Sequence, residues 1–525
     1  MKTPPAQHQS HQAPSLFSAY ATWMYPILVV MVLSLTLFFA SGFWDFLQMK
    51  PAGGFLSTLL FFDAESAQSA LGNIPQVQIG ILGLTLTVVA IVVQLAAQRY
   101  TPKLVDLFLA DRVNIFMFLG FVMTSVYGLW VLYSVRHAYV PVGSGLLLIV
   151  LASLMLAVLI PYFRYVFQFL TPSNILGMIE ASEARMVREA TRETHPAQME
   201  RLKLNTANGL EQVSDIALSA VNQVDRNVAL MSIASLSRMI RAYLPYKKQL
   251  SPAWFVPQPG HFISLSAEFL QEIADRRIWV ETRCLMNMEL LFTQGLKTMP
   301  DAISAVATDT RQIALTALDL EDEETLYLCM EYFNTFLRRA VNDRNQRAVF
   351  TLFYQYRRLA EDLLIHRPGR ALEIAEFLNY YGQEAQRSGI PFLMLVAAMD
   401  LGTLIQYGVL QGQEGLEPML DLFLNMSSSE EVRKVAFVHK GVRKAHVILA
   451  THLLGDGNHK TFLERIRQSL AQEEKAWLAE VKRDLLGVEK EKFWEITDRG
   501  GINFEYLTPE EKKHMETFYA KYLEG

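Results

Sequence analysis

Two cysteines, Cys284 and Cys329, are all that 525 residues carry. That excludes a disulfide framework and any cysteine zinc site. Both stand inside apolar helical patterns, where buried, reduced thiols are expected. Charge is scarce over the first 163 residues, which hold only Lys2, Lys50, Arg99, Lys103, Arg112 and Arg136 against Asp45, Asp63, Glu65, Asp106 and Asp111. The remainder holds the other 42 basic and 48 acidic residues. It is mildly acidic, which argues against general nucleic-acid binding. No glycine loop of the phosphate-binding kind occurs, and Gly143-Ser144-Gly145 borders an apolar run rather than a nucleophile elbow. An acid, base and nucleophile set is also missing, so an enzyme is not expected and no cofactor is implied.

What is present is an apolar, charge-poor block joined to a charge-rich one, the composition of a membrane domain followed by a soluble domain. Residues 1–18 form a polar tail rich in Gln, His and Pro, unlike a cleavable leader. Four spans follow within residues 19–170, at about 23–44, 77–97, 113–135 and 146–163, each near the 20 or so apolar residues that cross a bilayer. The apolar stretch from Phe55 to Phe62 is too short to span. Four spans put both termini and the loop after span two on one side. That side carries Lys2, Arg99, Lys103, Arg112, Arg164, Arg185, Arg188 and Arg192, and the other only Lys50 and Arg136. The basic excess belongs in the cytoplasm, so both termini are expected inside.

Thr171-Pro172-Ser173-Asn174 reads as a helix start with proline at its first position. Periodic helical patterns then run through Leu210–Leu244, Ile278–Leu296, Leu326–Ala340 and Ala348–Ile365, with no alternating strand pattern. The fold class is therefore all-α: a four-helix transmembrane domain, then a large cytoplasmic helical domain over 171–480, either an irregular bundle or built from helical repeats. Asp225-Arg226-Asn227-Val228-Ala229 echoes Asp343-Arg344-Asn345-Gln346-Arg347-Ala348, but their 118-residue separation is too long for one repeat. Asp309-Thr310-Arg311 and Ser429-Glu430-Glu431-Val432-Arg433 read as helix starts, with Asp309 or Ser429 as caps. Over 481–525, Phe493 to Gly500 reads as a turn-rich joint, and Thr508-Pro509-Glu510-Glu511 is a capping box for a last helix.

Asp63-Ala64-Glu65-Ser66-Ala67, the segment from Leu95 through Gln98-Arg99-Tyr100-Thr101-Pro102-Lys103 to Leu104, Asp111-Arg112-Val113-Asn114, and Asp215-Ile216-Ala217-Leu218-Ser219-Ala220 together resemble a family of predicted bacterial membrane proteins of unknown function. The resemblance covers about residues 20–240. It implies a bacterial inner membrane and no particular activity. The chain departs from the family's pattern after Ala220, where Val221-Asn222-Gln223-Val224-Asp225-Arg226-Asn227 stands in place of a proline- and glycine-bearing loop.

Three groups of residues are candidate sites. Gln76, Gly80, Gly83, Thr87, Ala90, Gln94 and Ala97 follow a 4-3-4-3-4-3 spacing and form one small or polar stripe along span two. Such a stripe suits tight helix packing, or alternatively a water-filled path in a homo-oligomer. Arg433, Lys434, Lys440, Arg443 and Lys444, with His439 and His446, form a basic cluster on what reads as one long helix. It is a solvated face or a site for anionic lipid or an acidic partner. The acidic run Asp319, Glu321, Asp322, Glu323, Glu324 is one candidate internal partner for it. His439, His446, His452 and His459 lack the i, i+4 spacing of a helical zinc site, so no metal is expected. The partners expected are membrane lipids, a second copy of the chain and a cytoplasmic protein.

Overall fold

The computed structural model describes residues 32–45, 47, 64–99, 104–136, 140–257, 262, 265–455, 457, 459–492, 501 and 503–524. Phe55–Phe62 and Phe493–Gly500 lie outside them, as does the first part of the expected span one. The chain divides into two compact units, residues 1–175 and 176–525. No strand occurs among the described residues.

The first unit holds a short apolar helix α1 (Val32–Asp45), α2 (Ala64–Arg99), the six-residue α3 (Leu104–Leu109), α4 (Arg112–Ser134) and α5 (Val142–Phe169). The helices α2, α4 and α5 are long and apolar enough to cross a membrane. α2 starts 13 residues before the expected span and carries Pro75 within it. Leu71, Tyr127, Val131 and Leu148 form the core, with Leu37, Phe38 and Ile74 packed on it. Gly128 is required there, because a β-carbon on it would stand 2.5 Å from Pro75. Large apolar residues instead face outward, including Leu84, Phe116 and Ile160. That inversion suits a unit whose solvent is lipid.

The motif Asp111-Arg112-Val113-Asn114 has a local explanation. Asp111 accepts from the amides of Val113 and Asn114 and caps α4. Asn114 in turn donates to the Phe108 carbonyl at 2.7 Å.

The second unit is built of helical pairs and triplets. It contains most of α6 (Pro172–Ala190), then α7 (Pro196–Asn222), α8 (Arg226–Lys247) and α9 (Ala267–Asp275). The pattern read as one helical stretch from Leu210 to Leu244 is thus two helices, broken at Gln223–Asp225. Then come α10 (Trp279–Thr298), α11 (Pro300–Asp319), α12 (Glu323–Asn342), α13 (Gln346–His366), α14 (Pro368–Arg387) and α15 (Phe392–Leu410). The remainder is α16 (Glu417–Asn425), α17 (Glu430–Lys434), α18 (Ala436–Gly455), α19 (Lys460–Leu470), α20 (Lys475–Leu486) and α21 (Pro509–Phe518). Thr508 and Glu511 form the expected capping box on α21.

α10–α11–α12 recur as α13–α14–α15 at a constant offset of 68 residues. Met299-Pro300 matches Arg367-Pro368, each joining two helices with proline at the first helical position. Glu321 matches Gly389, and Arg344 matches Gly412, all in the left-handed region. The cores match too: Val306 with Ile374, Ala317 with Ala385, Phe333 with Leu401 and Phe336 with Leu404, all fully buried. Each left-handed residue is followed by an amide that bonds back five residues. These bonds run from Asp322 to Ala317, Asn345 to Ala340, Ile390 to Ala385 and Gln413 to Gly408, all at 2.9 Å. The helical-repeat alternative therefore describes α10–α15.

The 118-residue echo is not this repeat, and its letters mislead by two positions. Asp225 caps α8, whereas the residue that caps α13 is Asn345, with Arg344 in the left-handed turn before it. Asp309 caps nothing, because it lies within α11. Ser429 does occupy the position before α17, with no side-chain cap bond.

One helix escaped the sequence reading. α15 is also long and apolar enough to span a membrane, yet most of it is buried inside the second unit. It is a core helix of the repeat.

Candidate functional site

The stripe on α2 faces away from its own unit. Gln76, Gly80, Gly83, Thr87, Ala90 and Gln94 are exposed, and only Ala97 is buried. A β-carbon at Gly80 or Gly83 would meet nothing within 4 Å. Thr87 satisfies its hydroxyl within the helix by donating to the Gly83 carbonyl. The helix packs through another face, with Leu71, Gln78, Val89 and Val93 buried. From Gln76 to Gln94 the stripe is thus exposed among the described residues.

The basic cluster is divided. Arg433 and Lys434 belong to α17 and the rest to α18, with Val435 between them out of helical geometry. Arg443 is fully buried and donates to Glu473 and Ser469. Lys440 pairs with Glu480 and Asp484, and Lys444 with Glu505. Three of the five charges are therefore spent on holding the C-terminal helices. Lys434 remains exposed and pairs with Glu430.

The acidic run at 319–324 does not serve this cluster. Asp322 pairs with Lys247, Glu323 with Arg367 and Glu324 with Arg276. The first pair belongs to a buried network in which Lys247 also meets Glu281 at 2.6 Å, and the Thr325 hydroxyl accepts from Lys247 and lies within hydrogen-bonding distance of both carboxylates.

The histidines are dispersed. His446 is buried against Phe423, whose carbonyl lies 3.0 Å from Nε2, while the Arg443 guanidinium faces Nδ1 at 3.5 Å. These partners fix a neutral ring with the proton on Nε2. Burial and the neighbouring guanidinium push its pKa down to about 3. His439 stacks on Trp477 beside Glu473, and His452 approaches Glu511. No group of three metal-ligating side chains occurs among the described residues.

Two arrangements go beyond the sequence reading. In the first unit, α5 begins at Pro141-Val142 with no side-chain cap of its own. Asp45, at the end of α1, supplies one from a distance. It accepts from the amides of Gly143 at 2.7 Å and Ser144 at 3.0 Å, and from the Ser144 hydroxyl at 2.7 Å. A carboxylate at a helix N-terminus satisfies two of the amides left open there and opposes the helix dipole. Ser41 and Tyr127 extend the network. Gly143 is needed here too, because a β-carbon would stand 2.5 Å from the carboxylate.

In the second unit, α6, α7 and α8, with Val280 of α10, line an open-mouthed cavity of about 660 Å³. Glu180 lies at its wall, held by Arg238 at 2.6 Å and by the Ser235 hydroxyl at 2.6 Å. Glu183, one turn along α6, is only 5% exposed. It stands among the buried apolar residues Leu176, Ile179, Val187 and Ala190 of the same face. Its carboxyl lies over Gly209, where a side chain would collide with it. Burial holds its pKa well above the usual carboxylate range, opposed by the Thr206 hydroxyl. Among the described residues no basic side chain pairs with it. The sequence signal was available: Glu183 falls on the 3-4 spacing of an otherwise apolar helix face.

No curated protein matches this chain. Among solved structures, it is similar to a chain described as "DHF58 filament", at 14% identity over 55% of this chain and 99% of that one, with a TM-score of 0.23. It is also similar to a "Circular tandem repeat protein with novel repeat topology and enhanced subunit contact surfaces", at 15% identity over 88% and 96% and a TM-score of 0.30. At such scores neither likeness bears on the fold or its use. Residues 20–242, which take in the apolar helices of the first unit, α6, α7 and most of α8, match the model of the family described as "Predicted membrane protein (DUF2254)", a domain of unknown function.

Proposed function

We propose that the chain is an interaction or regulatory protein of a bacterial inner membrane, in which the apolar unit anchors a cytoplasmic helical-repeat domain that engages a protein partner. The observation that carries this reading is the duplicated triplet α10–α12 and α13–α15. Stacked helical repeats bury a continuous core and leave extended side surfaces whose residues are free to vary for recognition. Site-specific photocrosslinking in cells, at exposed positions along α10–α15 of the full chain, tests it. A discrete protein adduct at repeat positions, absent from positions on the lipid-facing side of α5, is expected. Adducts only to lipid, or none at any repeat position, would contradict the reading.

A second reading is a homo-oligomeric channel with α2 at its axis. It is favoured by one observation, the outward-facing stripe that leaves Gly80 and Gly83 without neighbours. The oligomeric state in nanodiscs, with ion flux in liposomes, separates the two. An oligomer whose flux falls in Gly83→Leu supports the channel, and a monomer ends it.

A further inference from the structure

We propose that the cavity between α6, α7 and α8 is a binding site for a small organic cation, with the Glu183 carboxylate as its counter-ion. Four observations converge on it. The cavity, at about 660 Å³, has the size of a small-molecule site. Ala184, Val187, Leu210 and Val280 give it apolar walls. It holds a buried acid, since Glu183 is 95% removed from solvent with no basic partner among the described residues. Its two arginines are exposed: Arg238 holds Glu180 with two nitrogens, and Arg241 donates to the Thr316 hydroxyl. The arginine charges are thus exposed to solvent, whereas an ammonium group inside would find an unmatched buried carboxyl.

The energetics point the same way. An unpaired buried carboxylate is costly, so burial holds the Glu183 pKa up. An ammonium ligand offsets that cost by pairing with the carboxylate, and any proton the carboxyl carried leaves to solvent as the ion pair forms. The apolar walls then cover the ligand's hydrocarbon part. Gly209 belongs to the same design, because only a residue without a side chain leaves room for the carboxyl over the α7 backbone. The proposal concerns the second unit alone and stands whether or not a protein partner exists.

The test is calorimetric titration of the full-length protein, in nanodiscs of zwitterionic lipid, with phenethylammonium and with neutral phenethyl alcohol. Heats from empty nanodiscs are subtracted. The wild type should bind the ammonium probe and discriminate against the alcohol. Glu183→Gln, which keeps the shape, should weaken ammonium binding by at least about tenfold, as expected for loss of a charge-assisted bond. Ala184→Trp, which keeps the carboxyl but fills the cavity, should abolish binding of both probes. Failure of the wild type to bind the ammonium at millimolar concentration would overturn the proposal. So would equal affinity in Glu183→Gln, or binding that survives Ala184→Trp.

Discussion

α2 and α15 are both long, uncharged enough and apolar enough to cross a membrane, yet they occupy opposite environments. Of the most apolar stretch of each, 17% is buried in α2 and 61% in α15. α2 turns Val77, Leu84, Ile91 and Leu95 outward. α15 has Leu393, Val396, Leu401, Leu404 and Ile405 fully enclosed by its neighbours. Apolar length therefore does not by itself specify a membrane helix. What separates the two is the company each keeps. α15 is the third helix of a triplet whose other members are amphipathic and charged, so the chain provides its own apolar surroundings. α2 sits among helices that are apolar all round, and no amount of mutual packing covers them.

The largest effect that would break this comparison comes from placing one charge in each helix. Leu401→Asp puts an unpaired carboxylate into the closed core of the repeat and should cost more than about 4 kcal/mol. Leu84→Asp, on the outward face of α2, should leave the second unit folded and impair membrane insertion by about 2.5–3.5 kcal/mol. Thermal unfolding of the purified variants, with quantification of the membrane fraction, checks both. If Leu401→Asp instead altered only insertion, α15 would be a membrane helix.

Acid should separate the units next. The ring of His446 has a folded pKa near 3, below its ordinary value of 6.5. The unfolded chain therefore takes up a proton that the folded one refuses. Stability contributed by the neutral ring is present above pH 6.5 and is lost as pH falls towards 3. The slope approaches 1.4 kcal/mol per pH unit, about one proton's worth. His446→Gln, which keeps a donor towards Phe423, should flatten the acid limb of denaturant-measured stability by that amount. An unchanged slope would place the acid sensitivity elsewhere in the unit.

A smaller effect tests the turns of the second unit. Val224 has φ +57° and is largely exposed, a strained setting for a β-branched residue. Val224→Gly should stabilise the protein by about 1 kcal/mol, read as a rise in the chemical-denaturation midpoint. A fall would mean that the Val224 side chain does more than tolerate its backbone. The smallest expected change is Lys434→Ala, which removes an exposed pair with Glu430 and should shift stability by less than about 0.5 kcal/mol.

The contrast between the units also explains what was readable in the sequence. Helix class, the start at Pro172, the spans α4 and α5 and the capping box at Thr508 are local properties, carried by composition and by residues three or four apart. The 68-residue repeat was hidden because its matched turns use different residues, glycine at 389 and 412 but Glu321 and Arg344 in the first copy. Backbone geometry recurs there without letters recurring. The fate of the basic cluster was hidden because its partners, Glu473, Asp484 and Glu505, lie 30 or more residues away and arrive only through tertiary packing. Asp45 was hidden for the same reason, since it caps a helix 98 residues further along the chain. Glu183 was readable as a lone acid on an apolar face, but the cavity beside it was not.

The central claim is that the first unit lies in the membrane and presents the helical-repeat unit to the cytoplasm. A single cysteine at Lys297→Cys, on an exposed turn of α10 and with Cys284 and Cys329 replaced by alanine, tests it most directly. Treated with a membrane-impermeant maleimide, spheroplasts should leave this cysteine unlabelled and inverted vesicles should label it fully. Labelling in intact spheroplasts would contradict the account.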